Sequence, residues 1–482
     1  MSTACTFVLF GATGDLARRM LFPSLYFLHA EGFLAEDQRI VGASRSVRED
    51  ETFRAEVREW VQERAGERFD AATFDAFAER ISYVPMDANE PADFETLKRH
   101  LSGGCTDEVV FYLSTSPSIF GAVCRNLKAV GLSEAPNRIV VEKPIGHDLE
   151  SNVAINDTLA EAFSEDRTFR IDHYLGKETV QNLIALRFGN RVFEPLWNAQ
   201  SIESVQVSIA EDLGVDGRGG YYDEYGAIRD MVQNHLLQLV CLVAMEPPAS
   251  LDADAVRNEK VKVLRSLARI DAANVDAKTV RGQYEAGYGA DGAQGASYKE
   301  DAENPASTTE SYVAIQAEVE NWRWAGVPFY LETGKRLAER KTQVVIRFKD
   351  VPHSVFSGGI DNNELIIVLQ PKERVTLQIN NKKPGLTEVG MPLEELALNL
   401  SLADEHGARR RIAYEQLILD ALNDRPTLFV QRDEQEAAWA WIDGIADAWA
   451  ASGSAPKPYR SGSSGPASKH SLTERNGHSW YE

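Results

Sequence analysis

The sequence predicts an α/β half followed by an α+β half: a doubly wound parallel sheet first, then a mainly antiparallel sheet. Two observations predict this. Up to about residue 170 the apolar residues come in short continuous runs, as in strands covered on both faces, and the first run leads through a glycine turn into a helical pattern. Beyond residue 182 the runs alternate apolar with polar residues, as in antiparallel strands with one covered face. The expected domains are therefore residues 1–180 and 181–482.

A chain of 482 residues, 43% hydrophobic and 26% charged, has the length and composition for two large cores. Its net charge of −22 argues against non-specific binding to nucleic acid or to an anionic membrane, since both need basic surface. An anionic substrate would require basic residues gathered locally. Cys5, Cys105, Cys124 and Cys241 are widely spaced and form no CxxC or Cys/His cluster, so they read as reduced, buried thiols. The first ten residues lack a basic leader and pass at once into a strand, and no apolar run reaches membrane-spanning length. The expectation is a cytoplasmic protein.

Thr6–Phe10 is a short apolar run followed directly by Gly11-Ala12-Thr13-Gly14-Asp15-Leu16-Ala17, after which Leu21, Leu25 and Leu28 continue a helical pattern. Strand, glycine turn and helix form the context of a Rossmann-type dinucleotide fingerprint, in which glycines let the backbone approach a pyrophosphate at the helix N-terminus. A plain tight turn is the alternative. Arg39–Ser46 reads as the second strand and its exit loop. An NAD-selective fold would usually place an acid there, whereas this chain offers Arg45 between Ser44 and Ser46, suited to a 2′-phosphate. NADP is favoured, and use of NAD as well stays open, because no acid there selects decisively. Residues 81–88 and 108–113 read as further strands, and residues 138–144 as another that ends in Lys143 before a proline. Strand C-termini line the ligand crevice of such a sheet, so Lys143 is expected to contact cofactor and substrate.

The densest stretch is Arg170-Ile-Asp-His-Tyr-Leu-Gly-Lys-Glu178. Residues 168–171 read as a strand end, Gly176 as a turn, and residues 177–188 as a helix by their apolar spacing. Lys177 thus stands in a first turn, where the helix dipole favours negative charge, and His173 adds a second potential cation. An anion would offset both, and free N–H groups at a helix start suit a phosphate. A polar loop whose side chains pair with one another is the other reading. Asp172 points to the opposite face of an extended chain and is available for a different partner.

In the second half, residues 202–209 read as an alternating strand, and Glu211–Gly220 as a glycine-rich loop too irregular for a phosphate cradle. A helical segment, Ala227–Leu239, carries Asp230 and His235. A core histidine is one reading of His235. The other follows because the chain has no metal-ligand pattern, and oxidation of an alcohol without a metal requires a base for the hydroxyl proton. Neutral imidazole serves, provided a carboxylate orients it. Residues 285–305, rich in Gly, Ala, Ser and acids, read as an exposed loop. A basic cluster with Lys335, Arg340 and Lys341 stands out in this acidic chain. Residues 364–371 and 374–379 read as paired strands, and residues 451–466 as an extended or loosely packed tail.

The string RIDHYLGKE resembles the signature of the glucose-6-phosphate dehydrogenase family, and further similarity, including the EKP triplet at 142–144 and RDMVQNH at 229–235, extends from Phe7 to the C-terminus. The resemblance implies an N-terminal Rossmann-type domain and an α+β domain with a large, mainly antiparallel sheet, through which subunits form homodimers or homotetramers. It implies oxidation of β-D-glucose 6-phosphate at C1 by NADP, the first step of the oxidative pentose phosphate and Entner–Doudoroff routes; the alternatives are a family-like dehydrogenase of another anionic sugar and a catalytically silent NADP-binding sensor. His235 becomes the general base and Asp172 its partner. His173, Tyr174, Lys177 and Arg340 would hold the phosphate, and Glu211, Asp230, Lys335 and Gln370 the sugar hydroxyls, with Lys143 near both ligands. Gly11, Ala12, Thr13, Gly14, Asp15, Leu16, Arg45, Asp87 and Ala88 would line the NADP site. Two positions depart from the family pattern. Met20 replaces a common lysine, and Glu332 stands where LRxGK has arginine, which argues against a second, structural NADP site.

Overall fold

Strands β1 (Thr6–Phe10), β2 (Arg39–Ser44), β3 (Ile81–Pro85), β4 (Val109–Leu113), β5 (Arg138–Val141) and β6 (Thr168–Arg170) are all parallel and lie in the order β3-β2-β1-β4-β5-β6. This is the doubly wound order, with its reversal between β1 and β4. The structure, a computed structural model, describes residues 5–102, 108–215, 217–289, 292, 294–356, 359–386, 391–400, 409 and 411–481. Cys105, Asp216 of the glycine-rich loop, and residues 290, 291 and 293 of the low-complexity stretch lie outside the described residues. Cys5, Cys124 and Cys241 are buried free thiols.

Two compact units emerge. The first comprises Met1–Gln181, Pro248–Asn258 and Arg410–Glu436; the second comprises Asn182–Pro247, Glu259–Arg409 and Ala437–Glu482. A linear division near residue 180 does not foresee the two later segments of the first unit. They belong there because Leu417, Ile418 and Phe429 share one buried core with Phe7, Leu25 and Phe169. The Phe169 and Phe429 rings meet edge-on at 4.8 Å. A second cluster, built on Val8, Phe10, Phe111 and Val141, fills the other face of the sheet. Burial on both faces is what the continuous apolar runs require.

In the second unit nine strands lie in the order β16-β15-β14-β13-β7-β12-β11-β8-β17. They are β7 (Ile202–Ala210), β8 (Thr279–Glu285), β11 (Tyr312–Glu318), β12 (Pro328–Gly334), β13 (Lys341–Phe348), β14 (Glu364–Gln370), β15 (Arg374–Lys382), β16 (Leu393–Asn399) and β17 (Lys457–Arg460). Pairing is antiparallel except for β7 with β12 and β8 with β17. The expected pairing of the 364 and 374 segments is present, with Glu364 opposite Gln378.

Two expectations need correction. Strand β7 is covered on both faces, and its polar positions Ser204, Gln206 and Ser208 are buried as well. The returning C-terminal segment covers them: Gln206 donates to the Ser479 carbonyl and accepts from the Tyr481 N–H. The alternation is real, but its polar residues are satisfied by protein rather than by water. The stretch 451–466 is extended, as expected: it supplies β17, of which only Tyr459 is buried. The stretch 285–305 holds a two-stranded hairpin, β9 (Gly287–Tyr288) with β10 (Gln294–Gly295), and a helical turn Tyr298–Asp301 whose Tyr298 is fully buried.

Candidate functional site

The first unit carries a crevice at the reversal between β1 and β4. Gly11 has φ +78, and a Cβ there would lie 2.3 Å from the Ser114 carbonyl oxygen. Only glycine permits that approach. Gly14 closes the turn by donating to the Gly11 carbonyl at 2.9 Å, and the helix begins at Asp15. A cavity of about 390 Å³ opens above the turn, lined by Gly11, Thr13, Gly14, Arg45, Asp87 and Ala88, together with Ser44, Ser46 and Ser114–Ser116. Ala12 is buried beneath the turn, and Asp15 and Leu16 belong to the helix rather than to the cavity wall.

The Arg45 loop is braced from below by a residue that the sequence reading missed. The Tyr83 hydroxyl sits 2.7 Å from Ser44 Oγ and donates to the Ser46 carbonyl at 2.6 Å, while Ser44 Oγ is 3.1 Å from Thr13 Oγ1. Arg45 itself is exposed, with its guanidinium available to an anion. Met20 is partly buried and packs on the apolar core.

At the end of β6, Arg170 is buried and held by Glu165 through two hydrogen bonds of 2.7 and 2.9 Å. Asp172, also buried, accepts the Tyr174 N–H at 2.9 Å, which turns the chain. Lys177 precedes the helix Glu178–Phe188 and its carbonyl accepts the Val180 and Gln181 N–H groups. Its Nζ lies 3.6 Å from the centroid of the Tyr174 ring, and His173 packs against the same ring at 5.0 Å. His173, Tyr174 and Lys177 thus converge. The turn needs Gly176, because a Cβ there would be 2.4 Å from the Ala413 carbonyl oxygen.

Below this turn lies a cluster whose tyrosines the sequence did not advertise. The Tyr112 hydroxyl donates to the buried Glu142 carboxylate, Tyr414 bonds to the same group, and the His173 ring stacks on Tyr414 at 6.3 Å and 12°. Burial pushes the Glu142 carboxyl up to about 7, against the opposing pull of the two hydroxyls and of the neighbouring Lys143 charge. Lys143 follows at the exit of β5 and is half-buried.

In the second unit, His235 is buried on a π-helical stretch, Ile228–Leu236, that begins just after Gly226 at φ +67. Asp230 lies one turn earlier. Lys335, at the exit of β12, forms an ion pair of 2.5 Å with Glu211 at the exit of β7, and its ammonium stands 5.3 Å from the Tyr222 ring. The Tyr222 hydroxyl is held well above its usual range by burial, then by the nearby Asp230 and Glu211 carboxylates. Lys335 and Glu211 therefore pair beside the Tyr222 ring. Gln370 donates to Thr342 Oγ1 at 2.8 Å, and Arg340 is exposed at the entrance to β13. Glu332 is buried under this sheet, 2.8 Å from Lys469 Nζ and 2.7 Å from the Tyr312 hydroxyl. Its charge is thereby neutralised inside the protein.

The strand order, the glycine turn and the braced arginine loop define a Rossmann-type dinucleotide-binding protein with an appended mixed-sheet unit. Comparison with known proteins narrows the class. Residues 8–182 match the family described as "Glucose-6-phosphate dehydrogenase, NAD binding domain", and residues 184–481 match "Glucose-6-phosphate dehydrogenase, C-terminal domain". The chain belongs to the glucose-6-phosphate dehydrogenase family. It is 50% identical to the glucose-6-phosphate 1-dehydrogenase of Zymomonas mobilis over 100% of both chains, and 48% identical to that of Rhizobium meliloti over 98% of this chain and 97% of the relative. A solved structure described as glucose-6-phosphate dehydrogenase in complex with its substrate glucose-6-phosphate aligns over 100% of both chains, with TM-score 0.92 and 36% identity.

Proposed function

We propose that the protein oxidises β-D-glucose 6-phosphate at C1 to 6-phosphoglucono-δ-lactone, using NADP as acceptor. Full-length membership of the family carries this reading. In it, His173, Tyr174 and Lys177, with Arg340, take the phosphate, while Glu211, Asp230, Lys335 and Gln370 take the hydroxyls. The convergence of the first three on one ring, and the Lys335–Glu211 ion pair beside Tyr222, support this division. Lys143 is assigned to both ligands.

The crevice fits the cofactor, since the Gly11 cradle would be filled by any Cβ and Arg45 offers a charge for the 2′-phosphate. NADP, when bound, supplies the hydride acceptor at nicotinamide C4. His235 takes the O1 proton as the C1 hydrogen leaves with its electron pair, so that C1=O forms; Asp172 is assigned to orient the imidazole. Fixing the phosphate aligns C1 with its acceptor, a positioning effect.

Assembly as a homodimer or homotetramer is part of the reading. The outer strand β16 is largely exposed, and Leu396 and Leu398 on it, with Leu400 just beyond its end, form an apolar patch that a second copy would cover.

The test is the near-ultraviolet absorbance of reduced nicotinamide after the metal-free protein is mixed with glucose 6-phosphate and NADP or NAD. A rise, faster with NADP, is expected. No rise with either cofactor, while both ligands still bind, would point to another phosphorylated sugar.

A further inference from the structure

We propose that Arg336 is a positioning residue for the sugar site, held in place by the 294–301 stretch, and that it keeps the Lys335–Glu211 pair in register. The proposal rests on the assignment of those two residues to the sugar hydroxyls.

Lys335 and Glu211 leave neighbouring parallel strands, and their exits are zipped together. Glu211 N–H donates to the Gly334 carbonyl at 3.0 Å, Leu337 N–H to the Glu211 carbonyl at 2.9 Å, and Arg336 N–H to the Leu213 carbonyl at 3.0 Å. The Lys335 carbonyl accepts the Tyr459 hydroxyl at 2.7 Å. At the centre of this zip Arg336 adopts φ +51, a left-handed conformation that costs a residue with a Cβ about 1 kcal/mol. The turn sends the Lys335 ammonium to Glu211 and the Arg336 guanidinium to the stretch 294–301.

There the guanidinium is clamped. A Cβ on Gly214 would fall 2.6 Å from its Nε, and one on Gly295 would fall 2.6 Å from Nη1, so a side chain at either position would displace the guanidinium from where it lies. Asp301 lies 3.5 Å from Nη2 in a mostly buried pair and also accepts the Tyr284 hydroxyl at 2.6 Å. The Tyr284 ring is 5.9 Å from the guanidinium carbon. A strained backbone beside a binding lysine persists where its surroundings over-determine it, and here the anchor lies in a segment whose composition suggested an exposed loop. Through Arg336, that segment fixes the point from which the Lys335 side chain departs.

The deciding variant is Arg336→Gly. Glycine tolerates the positive φ, so the turn survives while the anchor is lost. KM for glucose 6-phosphate should rise about tenfold, with kcat and the NADP KM within about twofold of wild type. Arg336→Lys, which keeps the charge but not the fork, should recover part of the loss. Gly295→Ala should reproduce the KM effect from the other side of the clamp. Lys335→Ala serves as the control, and adding Arg336→Gly to it should raise KM no further. If Lys335→Ala raises KM while a folded Arg336→Gly enzyme keeps the wild-type value, the positioning role is wrong. Loss of melting temperature in Arg336→Gly with an unchanged KM would also overturn it. If Lys335→Ala itself leaves KM unchanged, the sugar-site assignment fails first.

Discussion

In the proposed reading, single side chains separate binding from chemistry. His235 sits on a helix and is buried, whereas Lys177 stands at a helix entrance against the Tyr174 ring. His235→Asn should lower kcat by a factor on the order of 10³ or more while leaving the dissociation constant for glucose 6-phosphate near wild type. Lys177→Ala should act mainly on KM. Steady-state kinetics with equilibrium dialysis of the sugar phosphate checks both, and an active His235→Asn enzyme would end the base assignment. Glu142 gives a pH prediction. Its folded carboxyl is pushed up to about 7 from 4.5 by burial, so the folded state holds its proton more tightly than the unfolded state does. The associated stability is fully present below the unfolded value and is lost as pH rises through about 7, a change on the order of 3 kcal/mol. Urea unfolding at pH 5 and 8 should show that decline in the wild type and not in Glu142→Gln. Residue types and spacing in RIDHYLGKE make the phosphate candidates legible in sequence. Tyr83, Tyr222 and Tyr414 are not legible, because each meets its partners only through the tertiary fold.

Elements explain where the reading of the chain succeeds. The continuous apolar runs of β1, β4 and β5 mean burial on both faces, and all three lie inside a parallel sheet with a cluster on each side. The same logic misplaces β7, since alternation reports polarity and not exposure. Composition misplaces the 285–305 stretch for a related reason: Gly and Ser signal turns, and turns also flank short strands and buried helical turns. The approach between the Gly176 turn and the helix Ala413–Leu422 makes a sharper prediction. A Cβ at residue 176 would meet the Ala413 carbonyl at 2.4 Å, so neither backbone can remain where it is. Gly176→Ala should destabilise the fold by about 1–3 kcal/mol and raise the KM for glucose 6-phosphate together with it. Thermal unfolding and steady-state kinetics would have to move in parallel; a stable variant with an unchanged KM would detach this turn from the phosphate site.

The whole molecule is interleaved. Six strands of the first unit are complete by Arg170, yet its core contains Leu417, Ile418, Ala421 and Phe429. A fragment of residues 1–182 should therefore expose that apolar surface and bind a hydrophobic dye or aggregate, whereas adding residues 410–436 in trans should reduce both effects. A soluble, cooperatively melting fragment would contradict this. The fold class was legible from runs of residues, but this sharing of segments was not. It depends on contacts across more than 200 positions of sequence.

The parallel strand β17 is paired to β8 at Lys457 and Gly282, and residues 479 and 481 cover Gln206. On the ribosome these partners emerge first and wait. The first unit lacks part of its core until residues 410–436 have been synthesised, and the second until residues 437–482 have, so each unit of the nascent protein should stay incomplete through much of translation. Its yield in a cell should accordingly depend on chaperone capacity more than on the equilibrium stability of the finished fold.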